Sequence, residues 1–348
     1  MKEIVKSFGN KAKAYSILLI VLKLFIVPLP GDLTWAKWEV QGEGNLYGTE
    51  DVALFSATRR LTKDQDPTQP VIDAEVAEQG ADAVLEPVLQ INKYFSLFGR
   101  DTSLKVRGQG FIFMDNSRFN HGTLGVRGQH EFTQDTKFQF RYYFAPNLLV
   151  GENEVRTPEE HEEEEFADEI VTTNFFAAGL VQRFLEDYVL RVYGRYGTRR
   201  YKEPFQQRNT DFWTIGPHFL WHASERVQLT LGYHYERGLA DGRNQPALQD
   251  DVSYINHFLT SELEIELKKH WDLELALHYE LNNWTTQIPG DHRKGQHEDV
   301  IQGDIELLHE VSEDVTITAG FQGQYRKESF ELEGFRNLDG WVGAKWKF

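Results

Sequence analysis

The sequence contains no cysteine and, beyond its first 36 residues, no long uninterrupted apolar run. The absence of cysteine excludes a disulfide framework, a thiolate metal site and a cysteine nucleophile. It also suits a chain that crosses an oxidising compartment. A membrane-spanning helix needs about 18 or more consecutive apolar residues, and no later segment approaches that length. If this chain crosses a membrane, it therefore does so as a barrel.

Basic residues are also scarce, with 37 Lys and Arg against 54 Asp and Glu, so the formal net charge is −17. A nucleic-acid partner is disfavoured by this charge, because phosphate contacts need a basic face. Nucleotide, flavin and haem-attachment motifs are absent from the sequence, and no cofactor is predicted.

The first 36 residues have the layout of a secretory signal peptide, with lysines, then an apolar run at 14–30, then small and polar residues up to Ala36. The alternative is an uncleaved anchor, but Lys23 and two prolines interrupt a run already short for a bilayer span. Removal of this segment takes away five lysines and two acids, which changes the net charge from −17 to −20. We therefore predict a signal peptide at 1–36 and one barrel domain at 37–348.

Apolar and polar residues alternate in the mature chain, as in ERVQLTLGYHYERG at 225–238. Alternation with period two places the two sets on opposite faces of a β-strand. Fourteen such segments occur, and an even number is what a closed antiparallel barrel with both termini on one side requires. The predicted strands are 37–47, 84–97, 103–115, 119–133, 136–147, 169–185, 187–200, 210–222, 225–237, 252–267, 271–284, 299–311, 313–327 and 337–348.

The links between these segments alternate in length. Links after even-numbered strands are short and polar, such as TQD and SED, whereas links after odd-numbered strands are mostly longer, with one exception near Asn116. Short periplasmic turns that alternate with longer extracellular loops are typical of outer-membrane barrels. A soluble sandwich has no reason to sort its loops in this way.

Aromatic residues favour the membrane barrel over the alternative, a soluble β-sandwich or propeller. They fall into two belts with aliphatic residues between, as interfacial anchoring predicts. Trp38, Phe132, Phe138, Tyr188, Trp221, Trp271, Trp346 and Phe348 lie near the short turns, and Tyr47, Phe144, Tyr196, Trp213, Tyr235, Tyr279 and Tyr325 lie near the long loops. The valine, leucine and tyrosine face of residues 225–238 should therefore meet lipid.

The chain ends in WVGAKWKF. With this ending and the alternating strands, the mature chain resembles the bacterial outer-membrane β-barrel proteins, porins most of all. In that group the last strand carries a recognition signal for the barrel-assembly machinery, which Gly343, Trp346 and Phe348 match. Trp341 stands where the group usually has a polar residue. The resemblance implies an all-β transmembrane barrel in the outer membrane of a Gram-negative cell, in contact with lipid and lipopolysaccharide.

Charged residues on the polar faces fall into two groups. Strands three to seven supply basic residues, whereas strands ten to twelve, with strand one, supply acidic residues. Seven strands are half of fourteen, so we expect the two groups to face each other across the lumen. The basic group is Arg107, Arg127, Arg141, Arg191 and Arg195, and the acidic group is Glu43, Glu262, Glu264, Glu274, Glu280, Asp304 and Glu306.

Facing charged walls predict a water-filled channel with a transverse field, through which small hydrophilic solutes or ions diffuse passively. Acidic loops should give it a modest preference for cations. One alternative is that the charges salt-bridge the lumen shut, which would make the barrel a scaffold or a conduit for a partner protein. Small barrels are filled by side chains and barrels of sixteen or more strands hold aqueous channels, and fourteen strands lie between.

A third candidate function, besides the channel and the scaffold, is that of an outer-membrane enzyme. His257 and Ser261 share a strand face, but no serine–histidine pair has a placed acid partner in the sequence. His234 and His278 could serve acid–base chemistry, although a solvated lumen role fits them as well, and we predict no catalytic residue. The acidic loop at 151–169 offers hard oxygen ligands for calcium. Runs of like charge are more often solvated segments, so no metal site is predicted.

Overall fold

The computed structural model describes residues 37–55, 79–156, 165–330 and 334–348. They form one closed antiparallel barrel in which each strand pairs with its neighbours in sequence and β1 pairs with β14. The predicted all-β barrel of fourteen strands is confirmed, and the proposed signal segment lies outside the described residues. The strands are Lys37–Thr49 (β1), Asp82–Leu97 (β2), Arg100–Phe113 (β3), His121–Glu131 (β4), Thr136–Glu154 (β5), Phe166–Phe184 (β6), Tyr188–Tyr201 (β7), Thr210–Ser224 (β8), Val227–Ala240 (β9), Tyr254–Lys268 (β10), Trp271–Trp284 (β11), His297–Glu310 (β12), Val315–Glu328 (β13) and Phe335–Lys347 (β14).

The two ends of the barrel differ in the length of their links. Links after even-numbered strands have two to four residues, and links after odd-numbered strands have six or more. We call these the turn end and the loop end. The link after β3, which looked short in the sequence, spans 114–120 and contains the 3-10 helix Ser117–Phe119, so it belongs with the longer links. Within the described ranges, no helix has the length and apolarity needed to span a bilayer.

β5 continues to Glu154, beyond the predicted end at residue 147. The pairing of β5 with β6 shifts register between Ala145 and Leu148 and again between Leu149 and Gly151. Such bulges insert an unpaired residue and break the period-two alternation from which the strand was predicted. The predicted end therefore fell at the first bulge.

The exterior of the barrel is apolar. Leu231, Leu277 and Phe321 point outward and are 45%, 58% and 62% exposed, whereas the inward-facing His234 and Glu280 are almost fully buried. A soluble β-sandwich or propeller buries its apolar faces, so this arrangement excludes those folds. It is the arrangement of a barrel whose outer surface contacts lipid.

Aromatic residues lie at both edges of this exterior. Trp38 and Trp221 are 47% and 38% exposed near the turn end, and Trp213 is 44% exposed near the loop end. Tyr47, predicted in the loop-end belt, instead faces the lumen, where it is 2% exposed and its ring centroid lies 5.6 Å from that of Trp341. Successive residues of β1 point to opposite faces of the barrel wall. Leu46 points outward, so the next residue, Tyr47, points inward.

An apolar cluster fills one side of the lumen at the loop end. The first link begins with a helical turn at residues 52–55, stabilised by Asp51 Oδ1, which accepts from the backbone N–H groups of Ala53 at 2.9 Å and Leu54 at 3.2 Å. This turn carries Phe55 inward, where its ring contacts those of Tyr47 and Phe111. The start of this link therefore folds into the barrel mouth.

Candidate functional site

Three cations lie side by side on the inner wall near the turn end. Lys105 of β3 is directly opposite Arg127 of β4, which is directly opposite Arg141 of β5. We call these three residues the basic row. Like charges at directly opposed positions of an antiparallel pair destabilise the sheet. The row therefore concentrates positive charge on this part of the wall.

Three carboxylates form the corresponding acidic row. Glu264 of β10 is directly opposite Glu274 of β11, which is directly opposite Glu306 of β12. β4 and β11 are seven strands apart in a ring of fourteen, so the two rows lie on opposite walls. Every member of both rows is three to five residues from the turn end of its strand. The two rows therefore face each other at about the same level of the lumen.

Arg107 lies two residues from Lys105 towards the loop end, and its Nη2 atom is 3.8 Å from Glu43 Oε2. Glu43 also accepts a hydrogen bond of 2.8 Å from Asn45 Nδ2. Grouped with the acidic wall from its sequence, Glu43 instead lies beside the basic row. β2 pairs with both β1 and β3, so Glu43 on β1 lies within reach of the long arginine side chain on β3.

Arg191 and Arg195, also predicted to line the pore, both face inward but differ in environment. Arg191 is half-buried near the turn end. Arg195 is only 5% exposed, forms an ion pair with Glu236, and donates from Nε to Thr214 Oγ1 at 2.9 Å. Arg195 therefore belongs to a buried cluster and differs from the accessible members of the basic row.

Glu236 is the centre of that cluster and was not predicted as a site residue. It is fully buried and accepts hydrogen bonds from Arg195, from Thr214 and, at 2.5 Å, from Tyr254 Oη. Arg199 Nη2 lies 4.0 Å away. The alternation of β9 showed that Glu236 faces inward, but its partners on β7, β8 and β10 depend on the strand register.

The other predicted carboxylates lie at two levels. Glu280 is 2% exposed in the loop half of the lumen and accepts a 2.6 Å hydrogen bond from Asn256. Glu262 and Asp304 lie nearer the turn end. Ala276 of β11 is directly opposite Glu262 of β10 on one side and directly opposite Asp304 of β12 on the other. Asp304 Oδ1 is 3.7 Å from His278 Nε2. Glu280 is therefore separated from the acidic row.

The loop half of the lumen is filled by side chains. On one side Glu86 accepts hydrogen bonds from Asn45 at 2.9 Å and from Tyr47 at 2.7 Å. On another side Arg326 donates from Nε to Glu298 at 2.6 Å. All five side chains are at most 2% exposed. This half is therefore tightly packed, whereas at the level of the charged rows Arg127 and Glu264 are exposed.

Three of the longer links are tied together over the loop end. Asp250 accepts hydrogen bonds from Gln207 at 2.8 Å, Arg208 at 2.8 Å and Arg293 at 3.1 Å, and Arg208 also donates to Glu169 at 3.0 Å. These residues are at most 4% exposed. The network joins the links 202–209, 241–253 and 285–296 to β6, and narrows the mouth of the barrel.

His257 and Ser261, which share a strand face in the sequence, lie on the outer surface of the barrel. His257 Nδ1 lies 2.8 Å from Tyr233 Oη on the lipid-facing side. Inside the lumen, His234 Nε2 lies 2.5 Å from both His218 Nε2 and Tyr193 Oη. Across the described ranges, no group of three or more His, Asp or Glu side chains is placed to hold a metal ion. Much of the acidic loop, at 157–164, lies outside those ranges.

The predicted assembly signal lies on β14. Trp346 faces outward and its ring covers Gly42 of β1, where any larger residue would collide with the indole. Phe348 is 79% exposed, and Gly343 faces Asn45 in the lumen. Trp341 also faces the lumen, and its indole N–H donates to Glu306 at 3.1 Å.

Neither the comparison with protein-family models nor the comparison with curated proteins found a match. Among solved structures, the outer membrane channel DcaP of Acinetobacter baumannii is similar, with a TM-score of 0.51 and 7% identity over 90% of this chain and 97% of that chain. An anion-selective porin from Comamonas acidovorans gives a TM-score of 0.43, with 10% identity over 90% of this chain and 100% of that chain. A Pseudomonas aeruginosa FadL homologue gives a TM-score of 0.44, with 8% identity over 89% of this chain and 90% of that chain.

The closed fourteen-stranded barrel, its apolar exterior and its polar lumen define a class of protein. This chain has the fold of the bacterial outer-membrane β-barrel channels.

Proposed function

We propose that this chain is a porin-like channel of the outer membrane through which small hydrophilic solutes and ions diffuse passively. The observation that carries the proposal is the pair of like-charged rows on opposite walls. Within each row, neighbouring side chains repel each other. Water and mobile ions in the lumen screen such rows, whereas a dry structural interior would pair opposite charges.

The narrowest level of this channel is the loop half. Its inward side chains are almost completely buried, and the helical turn at 52–55 packs against them. Solutes therefore meet an accessible charged level near the turn end and a restricted level near the loop end. We expect a small single-channel conductance that depends on movement of the 52–55 segment and the linked loops.

A scaffold that binds a partner protein is the second candidate, and the packed loop half favours it. Its buried ion pairs would hold a rigid platform at the cell surface without any flux. Catalysis is not part of either proposal. In both cases the exterior would contact lipid and lipopolysaccharide, and the barrel-assembly machinery would recognise the last strand.

Reversal potentials in planar bilayers under a KCl gradient test the channel. Replacement of all three acidic-row carboxylates by glutamine should shift selectivity towards anions, and replacement of the basic row by glutamine should shift it towards cations. Both shifts should shrink in 1 M salt, where the screening length is about 3 Å. A control that neutralises Asp135, Glu186 and Asp187 removes three carboxylates from exposed turns and should change selectivity less. Absence of conductance in correctly folded protein would refute the channel and favour the scaffold.

A further inference from the structure

Two neighbouring cavities indent the basic wall, and Arg127 and Arg141 line both of them. One cavity is also lined by Arg191, and the other is also lined by Lys105 and Arg107. We call these five residues the basic pocket. The residues that line the two cavities include no Asp or Glu. The pocket is thus a concentration of positive charge that opens towards the lumen.

Buried donors in the pocket lack acceptors. Arg107 Nε and Nη2 and Arg191 Nε are buried and make no hydrogen bond. Glu43 lies 3.8 Å from Arg107 Nη2, which is too long for a hydrogen bond. Buried N–H groups are nearly always paired, so each exception calls for an explanation. A ligand that brings its own acceptor oxygens would supply the missing partners.

Aromatic rings hold part of the pocket in place. The guanidinium of Arg141 lies 5.3 Å from the ring centroid of Phe175 and 6.0 Å from that of Tyr143. Cation–π contacts fix the orientation of the planar group. An oriented guanidinium can donate two parallel hydrogen bonds to one carboxylate, which a lysine cannot do. The arrangement is therefore prepared for oxyanions of planar, two-oxygen geometry.

We propose that the basic pocket binds small organic anions that carry two or more carboxylate groups. A monovalent anion would screen one cation of the basic row, whereas a multivalent anion can neutralise several and also satisfy Arg107 or Arg191. This inference deepens the proposed function and rests on it for passage of the ligand through the membrane. Binding itself needs access from the turn end only.

Titration calorimetry of the folded barrel in detergent at low salt, with citrate as the probe, tests the proposal. The double variant Arg127→Gln/Arg141→Gln should lose about tenfold or more in citrate affinity, because charge-assisted hydrogen bonds are lost. The control Arg183→Gln/Arg226→Gln removes two arginines from the exposed turn end and should keep the native affinity. Heat-dependent migration on gels confirms that each variant forms the barrel.

Three results would overturn the proposal: no citrate binding by the native barrel, equal losses in both double variants, or acetate binding as tight as citrate binding. Inorganic phosphate as tight as citrate would overturn the carboxylate assignment in favour of any multivalent oxyanion. KCl conductance is measured separately. Citrate binding without conductance supports this inference and refutes the channel. Conductance without citrate binding supports the channel and refutes this inference.

Discussion

Replacement of Glu236 by glutamine tests the buried charge cluster that β7, β8, β9 and β10 form on one wall of the lumen. Glu236 is fully buried, and its partners Arg195 and Arg199 are 5% and 1% exposed. The substitution keeps the shape of the side chain but removes a negative charge that lies beside two buried guanidinium groups. Loss of one partner of a buried ion pair costs about 3–5 kcal/mol. We expect the free energy of unfolding to fall by that amount.

A matched control lies on the exposed side of the same strands. Arg200 pairs with Asp211, and their side chains are 41% and 50% exposed. Exposed ion pairs contribute about 0–1 kcal/mol, so Asp211→Asn should reduce the free energy of unfolding by no more than that. Both substitutions neutralise the carboxylate of an arginine–carboxylate pair, which is buried for Glu236 and exposed for Asp211.

Urea unfolding of the barrel in detergent micelles, followed by tryptophan fluorescence, measures both losses, provided that the dependence on urea is unchanged. Arg195→Gln should cost less in the Glu236→Gln background than in the native protein, because the ion pair with Glu236 has already been removed. Equal losses for Glu236→Gln and Asp211→Asn, or a cost for Arg195→Gln that is the same in both backgrounds, would refute the buried cluster.

Three further predictions concern orientation and opening. Leu275→Arg places a charge against lipid and should destabilise the barrel by about 2–4 kcal/mol. Glu274→Arg changes a charge in the lumen, so this variant should assemble normally. The opposite result would show that the inward and outward faces of the strand are assigned the wrong way round. A cysteine introduced at Asp168 should react with an impermeant maleimide on intact cells, and one introduced at Ser224 only after lysis; labelling of Ser224→Cys on intact cells would invert the topology. Phe55→Ala removes a buried ring from the barrel mouth and should raise single-channel conductance in planar bilayers; an unchanged conductance would place the narrowest level elsewhere.

Strand positions and faces could be predicted from the sequence because they depend on local alternation. β11 was predicted at 271–284 and is observed at Trp271–Trp284. Its leucines face outward and Glu274 and His278 face inward, as the period of two requires. The alternation of short and long links was also predicted correctly. In an antiparallel barrel the chain reverses direction after every strand, so successive links lie at opposite ends of the barrel.

Only the tertiary structure decided which of the inward residues meet. Alternation shows that Lys105, Arg127 and Arg141 face the lumen, but the row exists because the register of β3, β4 and β5 places them directly opposite one another. The link lengths alone do not fix that register, since bulges such as the one in β5 shift it.

The packing of side chains in the loop half could likewise not be predicted from the sequence. Phe55 packs on Tyr47 and Phe111, which are far apart along the chain and come together through the pairing of β1, β2 and β3 and the inward turn of the first link. The sequence by itself thus determined a fourteen-stranded barrel with an apolar exterior and a charged interior, because these properties follow from local patterns. Strand register and loop packing, which are long-range, determined where that interior is accessible and where it is filled.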